Sequence, residues 1–88
     1  MKRNLKFIMV VLRNIVRDNF KKIIEADYYP DGGNLFGHVV VDMTTGEIIS
    51  MTQIEGIAWR SALAHARKGL EMLTDVSVLP AQKTIYWY

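Results

Sequence analysis

Residues 36–51 read Phe-Gly-His-Val-Val-Val-Asp-Met-Thr-Thr-Gly-Glu-Ile-Ile-Ser-Met. Phe36 to Met43 is rich in β-branched and aromatic types, which suit a pleated, half-buried surface. Thr44-Thr45-Gly46 is a short loop with a late glycine, the chemistry of a three- to five-residue hairpin, and Glu47 to Met51 returns as the second arm. Two antiparallel strands are therefore expected, with Val39, Val41, Met43, Ile49 and Met51 lining the inner face.

Upstream, Lys22 to Tyr29 alternates: Ile24, Ala26 and Tyr28 on one face, Glu25 and Asp27 on the other, as in a half-buried strand. Pro30-Asp31-Gly32-Gly33-Asn34 stops it, because proline presets one dihedral while glycine and asparagine accept positive ones. Downstream, Thr52-Gln53-Ile54-Glu55 fits a capping box at a helix start. Trp59, Ala62, Leu63, Ala66, Leu70 and Leu73 then form one helical stripe, with Arg60, Arg67, Lys68 and Glu71 toward the other side. Gly69 inside that helix costs about 1 kcal/mol relative to alanine and points to a close backbone approach. Asp75 to Pro80 ends the helix, and the aromatic, β-rich Lys83 to Tyr88 is expected to return as a last strand beside the sheet.

The N-terminal segment is open to two readings. As a helix, residues 4–20 place Leu5, Ile8, Met9, Leu12, Ile15 and Val16 on one side, and Lys2, Arg3, Lys6, Arg13, Arg17 and Lys21 within an arc of roughly 100° on the other. As a strand, Phe7 to Val11 has the β-branched and aromatic content of a buried element. The basic arc favours helix. Lys22 would point to the apolar side of a continuing helix, so a change of structure is expected near Phe20 or Lys21. The fold class is α+β, in the order α-β-β-β-α-β: an antiparallel sheet packed by a long helix. The chain reads as a single domain, residues 1–88, with a basic amphipathic helix over 1–21 and a β-β-β-α-β core over 22–88.

The core order, with the Trp59 to Leu73 helix crossing a three-stranded meander, is similar to the topology of small HicB-type antitoxins and of double-stranded RNA-binding domains. The similarity is one of element order. No proline-glycine-cysteine segment follows the second strand, as it does in HicB-type chains, and Thr52 to Ala58 lacks the lysine cluster of the RNA-binding domains. No site residue is implied.

With 88 residues, 50% of them hydrophobic, the chain can hold one modest core. The absence of cysteine excludes a disulfide framework, thiolate metal sites and cysteine nucleophiles, and suits a reducing cytoplasm. Residues 1–22 carry a net charge of +6 and residues 23–88 a net charge of −4, behind an overall +2. Such asymmetry suits an anionic partner, or a basic element docked on its own acidic domain. Met1 to Leu12 superficially resembles a secretory signal, but Arg13 and Arg17 interrupt the apolar run and no cleavage pattern follows. No stretch reaches the roughly 20 apolar residues of a membrane span, so a soluble protein is expected.

The chemistry-bearing residues form no familiar set. His38 and His65 have no metal-type ligand at a helpful spacing, so no metal or cofactor is expected. Asp27, Asp42 and Glu47 are explained by turns and solvated strand faces, and Gly32-Gly33 lacks the Gly-Lys-Ser/Thr ending of a phosphate loop. Lys6, Arg13, Arg17 and Lys21 are the candidates for contact with an anion or nucleic acid. Tyr86, Trp87 and Tyr88 are the candidates for an interface, because tyrosine and tryptophan favour such contacts and a terminal edge strand can pair with a second copy. The sequence therefore points to a non-catalytic binding module acting through protein–protein contact or self-association. A nucleic-acid accessory protein using the basic helix is the alternative.

Overall fold

Met9–Asp18, expected within an N-terminal helix, is a ten-residue β-strand, β1, in the computed structural model of the chain, which describes residues 8–54 and 59–87, the side chain of Trp59 excepted. The reason lies in a β-bulge. Val10 to Arg13 pair with Pro30 to Asp27, but the ladder resumes with Val16 opposite Glu25, so β1 holds one residue more than its partner. Asn14 sits there with φ of 55°, a left-handed conformation that asparagine tolerates better than most residues. The extra residue switches the inward side of the strand. Val10 and Leu12 are fully buried, then Ile15 packs on the core and Val16 is left 54% exposed. Inward spacings of two and then three residues imitate a helical period, which is why the helix reading fits the sequence and fails in the fold.

The described chain continues as β2 (Ile23–Pro30), β3 (Gly37–Asp42), β4 (Ile48–Met51), α1 (Trp59–Glu71) and β5 (Gln82–Tyr86). The five strands form one antiparallel sheet in the order β4-β3-β2-β1-β5, and α1 packs on one face. The α+β class holds, with one helix rather than two among the described residues. The change of structure expected near Phe20 is the turn from Asn19 to Lys22. There the Asp18 carboxylate accepts bonds from the amides of Phe20 and Lys21.

The alternation of β2 holds as expected, with Ile24, Ala26 and Tyr28 fully buried. In the β3–β4 hairpin, Asp42 Oδ1 accepts bonds from the amides of Thr44 and Thr45, and Gly46 takes φ of 79°. Val39 and Val41 are buried and Met43 and Met51 pack on the core, but Ile49 does not. Val40 pairs with Ser50 and Val41 with Ile48, so Ile49 is the extra residue of a second bulge. It is 56% exposed, and Ile48 takes the expected inner place.

The capping box is also corrected. Thr52 extends the hairpin instead: its amide donates to the His38 carbonyl at 2.9 Å, and its hydroxyl accepts from the His38 amide at 2.8 Å. Glu55 lies outside the described residues, and the described helix begins at Trp59. Ala62, Leu63, Ala66 and Leu70 of α1, with Leu73 after it, form the buried stripe as read from sequence. Gly69 marks the close approach: a Cβ there would stand 2.7 Å from Ile85 and 3.1 Å from Leu12.

Among the described residues Tyr28 is the largest fully buried side chain, and its hydroxyl donates to the Thr52 carbonyl at 2.9 Å. Burial raises its pKa above the ordinary 10.0. Its cross-strand partner is Gly37, where an added Cβ would meet the Thr52 carbonyl at 2.6 Å and the Tyr28 ring at 2.7 Å. Gly37→Ala should therefore cost about 1–3 kcal/mol of stability through overpacking against backbone. Gly33→Ala, whose Cβ would meet only the Pro30 carbonyl at 3.6 Å, should be near neutral. Urea denaturation of the two variants checks the contrast.

Candidate binding surface

One face of the sheet lies under α1, and the pairing register fixes what stands on the other. Residues opposite one another in a ladder share a face. Thr84, Val11 and Tyr29 form one row of the open face; Gln82, Arg13, Asp27 and His38 form the next; Val16, Glu25, Val40 and Ser50 form a third. Phe36, just before β3, stacks on Tyr29 with ring centroids 4.9 Å apart. The Arg13 guanidinium lies 4.5 Å from the centre of the same Tyr29 ring, within cation–π range.

A charged cluster links β1, β2 and β3 across this face. Both ring nitrogens of His38 are engaged, Nδ1 with Asp27 Oδ1 and Nε2 with Glu25 Oε1, each at 2.7 Å. Asn14 donates from Nδ2 to the other Asp27 oxygen, also at 2.7 Å. An ionised carboxylate only accepts, so two bonds of this kind call for a proton on each nitrogen, the imidazolium form. Partial burial works against that charge, but hydrogen bonds and attraction from Asp27 and Glu25 outweigh it and raise the His38 pKa above 6.5. His38, which has no metal-type ligand at a helpful spacing along the chain, stands between two carboxylates in the fold. The usable signal was the shared face of Glu25 and Asp27, but only the β2–β3 register brings His38 between them.

The candidate anion contacts are dispersed. Lys6 lies outside the described residues. Arg13 is on the open face, whereas the bulge sends Arg17 to the helix side, where its Nη1 donates to the carbonyls of Leu73 at 2.9 Å and Val76 at 2.6 Å. Arg17 thus ties β1 to the segment that follows α1. Lys21 is exposed in the β1–β2 turn. Among the described residues no helix gathers Arg13, Arg17 and Lys21 on one arc, because Met9–Asp18 is a strand.

Of the aromatic C-terminus, Tyr86 ends β5 at a sheet edge and Trp87 follows it. Tyr86 is 57% exposed. Trp87 stacks on His65 of α1, centroids 3.8 Å apart and planes within 8°, so it anchors the end of β5 to the helix. His65 is held in turn by a bond from Nδ1 to the Ser61 carbonyl at 2.8 Å. Tyr88 lies outside the described residues.

The direction of the β5 amides follows from two bonds. The Trp87 amide donates to the Ile8 carbonyl at 2.9 Å, whereas the Met9 carbonyl accepts from Asp31 on the β2 side, at 2.8 Å. Antiparallel pairs alternate, so Ile85 and Lys83 turn their backbone groups toward β1, and Thr84 and Gln82 turn theirs outward. No described strand lies beyond them.

Elsewhere, a depression of about 330 Å³ lies between the β3–β4 turn and the end of α1, lined in part by Thr44, Thr45, Lys68 and Glu71. Arg67 joins two of its lining residues, donating to the Gly46 carbonyl at 3.1 Å and to Glu71 at 3.3 Å. Among the described residues, no group of three or more histidine, aspartate or glutamate side chains is placed to hold a metal ion, and no helix is long and apolar enough to cross a membrane. Comparison with protein-family models, with curated proteins and with solved structures finds no match to this chain.

Three outcomes are expected. A histidine whose pKa is raised by folding contributes stability that is fully present below 6.5 and is lost as pH rises through the folded value. The stability difference between wild type and His38→Gln, measured by urea denaturation, should therefore shrink as pH is raised from about 6 to about 9. Arg17→Gln should lose about 1–2 kcal/mol, because charge-assisted bonds to loop carbonyls disappear. Arg13→Gln should lose less, its cation–π contact being worth about 0.5–1 kcal/mol at an exposed site.

Proposed function

We propose that this chain is a non-catalytic binding module that acts through protein–protein contact or self-association at the β5 side of its sheet. The observation that carries this reading is the outward direction of the Thr84 and Gln82 backbone groups on an edge strand next to the exposed Tyr86 ring. An edge of that kind accepts a further strand through main-chain bonds, while side chains on the adjoining face supply selectivity. Trp87, clamped on His65, holds the end of β5 in place, so the edge is preformed and little ordering is needed on binding.

The non-catalytic part of the reading rests on how the open-face groups spend their bonding capacity. Both His38 nitrogens are engaged by carboxylates of the neighbouring strand, so cross-strand pairing accounts for the imidazole. The nucleic-acid alternative has less support: Arg13 and Arg17 stand on opposite sides of the sheet, and Arg17 is engaged with backbone carbonyls.

The test is affinity capture from a lysate together with sedimentation across a concentration series, on wild type and on Thr84→Pro. Proline at an outward position removes a donor from the free edge without breaking a bond to β1. Wild type is expected to self-associate or to retain a specific partner, and the variant to lose it while keeping its circular dichroism spectrum. A wild-type chain that stays monomeric and retains nothing would overturn the reading.

A further inference from the structure

We infer that the occupant of the β5 edge is a second copy of this chain, paired antiparallel about a two-fold axis at Thr84; the inference rests on the proposed use of that edge. The two edges of the sheet differ in a way that selects β5. β4 has four residues and carries the Ile49 bulge, which twists an edge away from further pairing. β5 has five residues in unbroken register with β1, with the β-branched Thr84 and Ile85 beside the aromatic Tyr86.

The sequence of β5, Gln82-Lys83-Thr84-Ile85-Tyr86, is compatible with its own reversed copy in one register above others. Centred on Thr84, the whole strand is paired: threonine faces threonine, Gln82 faces Tyr86, and the only charged residue, Lys83, faces Ile85. A threonine pair is a favourable neighbour across a ladder. Centred on Lys83, two like charges would stand opposite one another, which is unfavourable. The Thr84 backbone groups point outward, so the central pair can exchange both main-chain bonds. The product is a continuous antiparallel sheet with both helices on one side and both open faces on the other. A single strand pair of this length makes a small interface, so the dimer is expected to dissociate on dilution.

The chain has no cysteine, which makes a register test simple. A hydrogen-bonded antiparallel pair has Cα atoms about 5.5 Å apart, within the range a disulfide spans. Under mild oxidation Thr84→Cys should give a covalent dimer. Lys83→Cys and Ile85→Cys, out of register and on the helix side, should give little. Sedimentation should show a concentration-dependent wild-type dimer. It should be absent in Thr84→Pro and in Thr84→Lys, which keeps the backbone amide but sets like charges together.

A wild-type chain that stays monomeric at high concentration overturns the inference. So does preferential cross-linking through Ile85→Cys or Lys83→Cys, or a dimer that persists in both Thr84 variants. The wider reading is separable: a monomer that still captures a partner lost in Thr84→Pro ends the self-pairing and leaves β5 as a binding edge, whereas a monomer that captures nothing ends both.

Discussion

The fold depends on the single extra residue that β1 accommodates at Asn14. β1 lies between β2 and β5, so whichever side chains it turns inward must match both neighbours and the helix above. Without the bulge, the period of two that buries Val10 and Leu12 would carry Asn14 and Val16 inward and leave Ile15 outside. With it, Ile15 joins the core and Arg17 reaches the carbonyls after α1. The same residue serves both faces: its backbone takes the left-handed conformation and its side-chain amide bonds to Asp27 on the open side.

The two faces of the sheet are stabilised differently. The helix side is a close-packed layer in which Tyr28 lies against Gly37, and Gly69 lets α1 descend onto Leu12 and Ile85. The open side is held by cross-strand polar and aromatic pairs: His38 between two carboxylates, Arg13 on Tyr29, and Tyr29 on Phe36. These contacts join β1, β2 and β3 across the face opposite α1, and among the described residues no strand lies beyond β5.

The legible parts of the sequence were those whose pattern is local. β2 alternates without interruption, the β3–β4 turn has its aspartate, threonines and glycine in order, and α1 displays its stripe at helical spacing. Gly69 was readable because glycine inside an otherwise regular helix has few other physical justifications. The N-terminal stretch misled for an equally local reason: a bulged strand and an amphipathic helix leave overlapping apolar spacings. The basic residues then fell on one arc by projection. The Thr52 capping box misled in the same manner, since a hydroxyl able to cap a helix can equally accept a bond from the strand beside it.

By itself the sequence determined the α+β class, the central hairpin, the position of the helix and the return of the last segment as a strand, because each follows from side-chain periodicity and turn chemistry within a few residues. The tertiary structure alone decided which way Arg13 and Arg17 face, that Ile48 rather than Ile49 enters the core, that His38 stands between Glu25 and Asp27, and that β5 closes one edge with Thr84 turned outward. Those outcomes depend on register between segments far apart in the chain. A shift of one residue there exchanges the faces of a strand, and no local pattern encodes it.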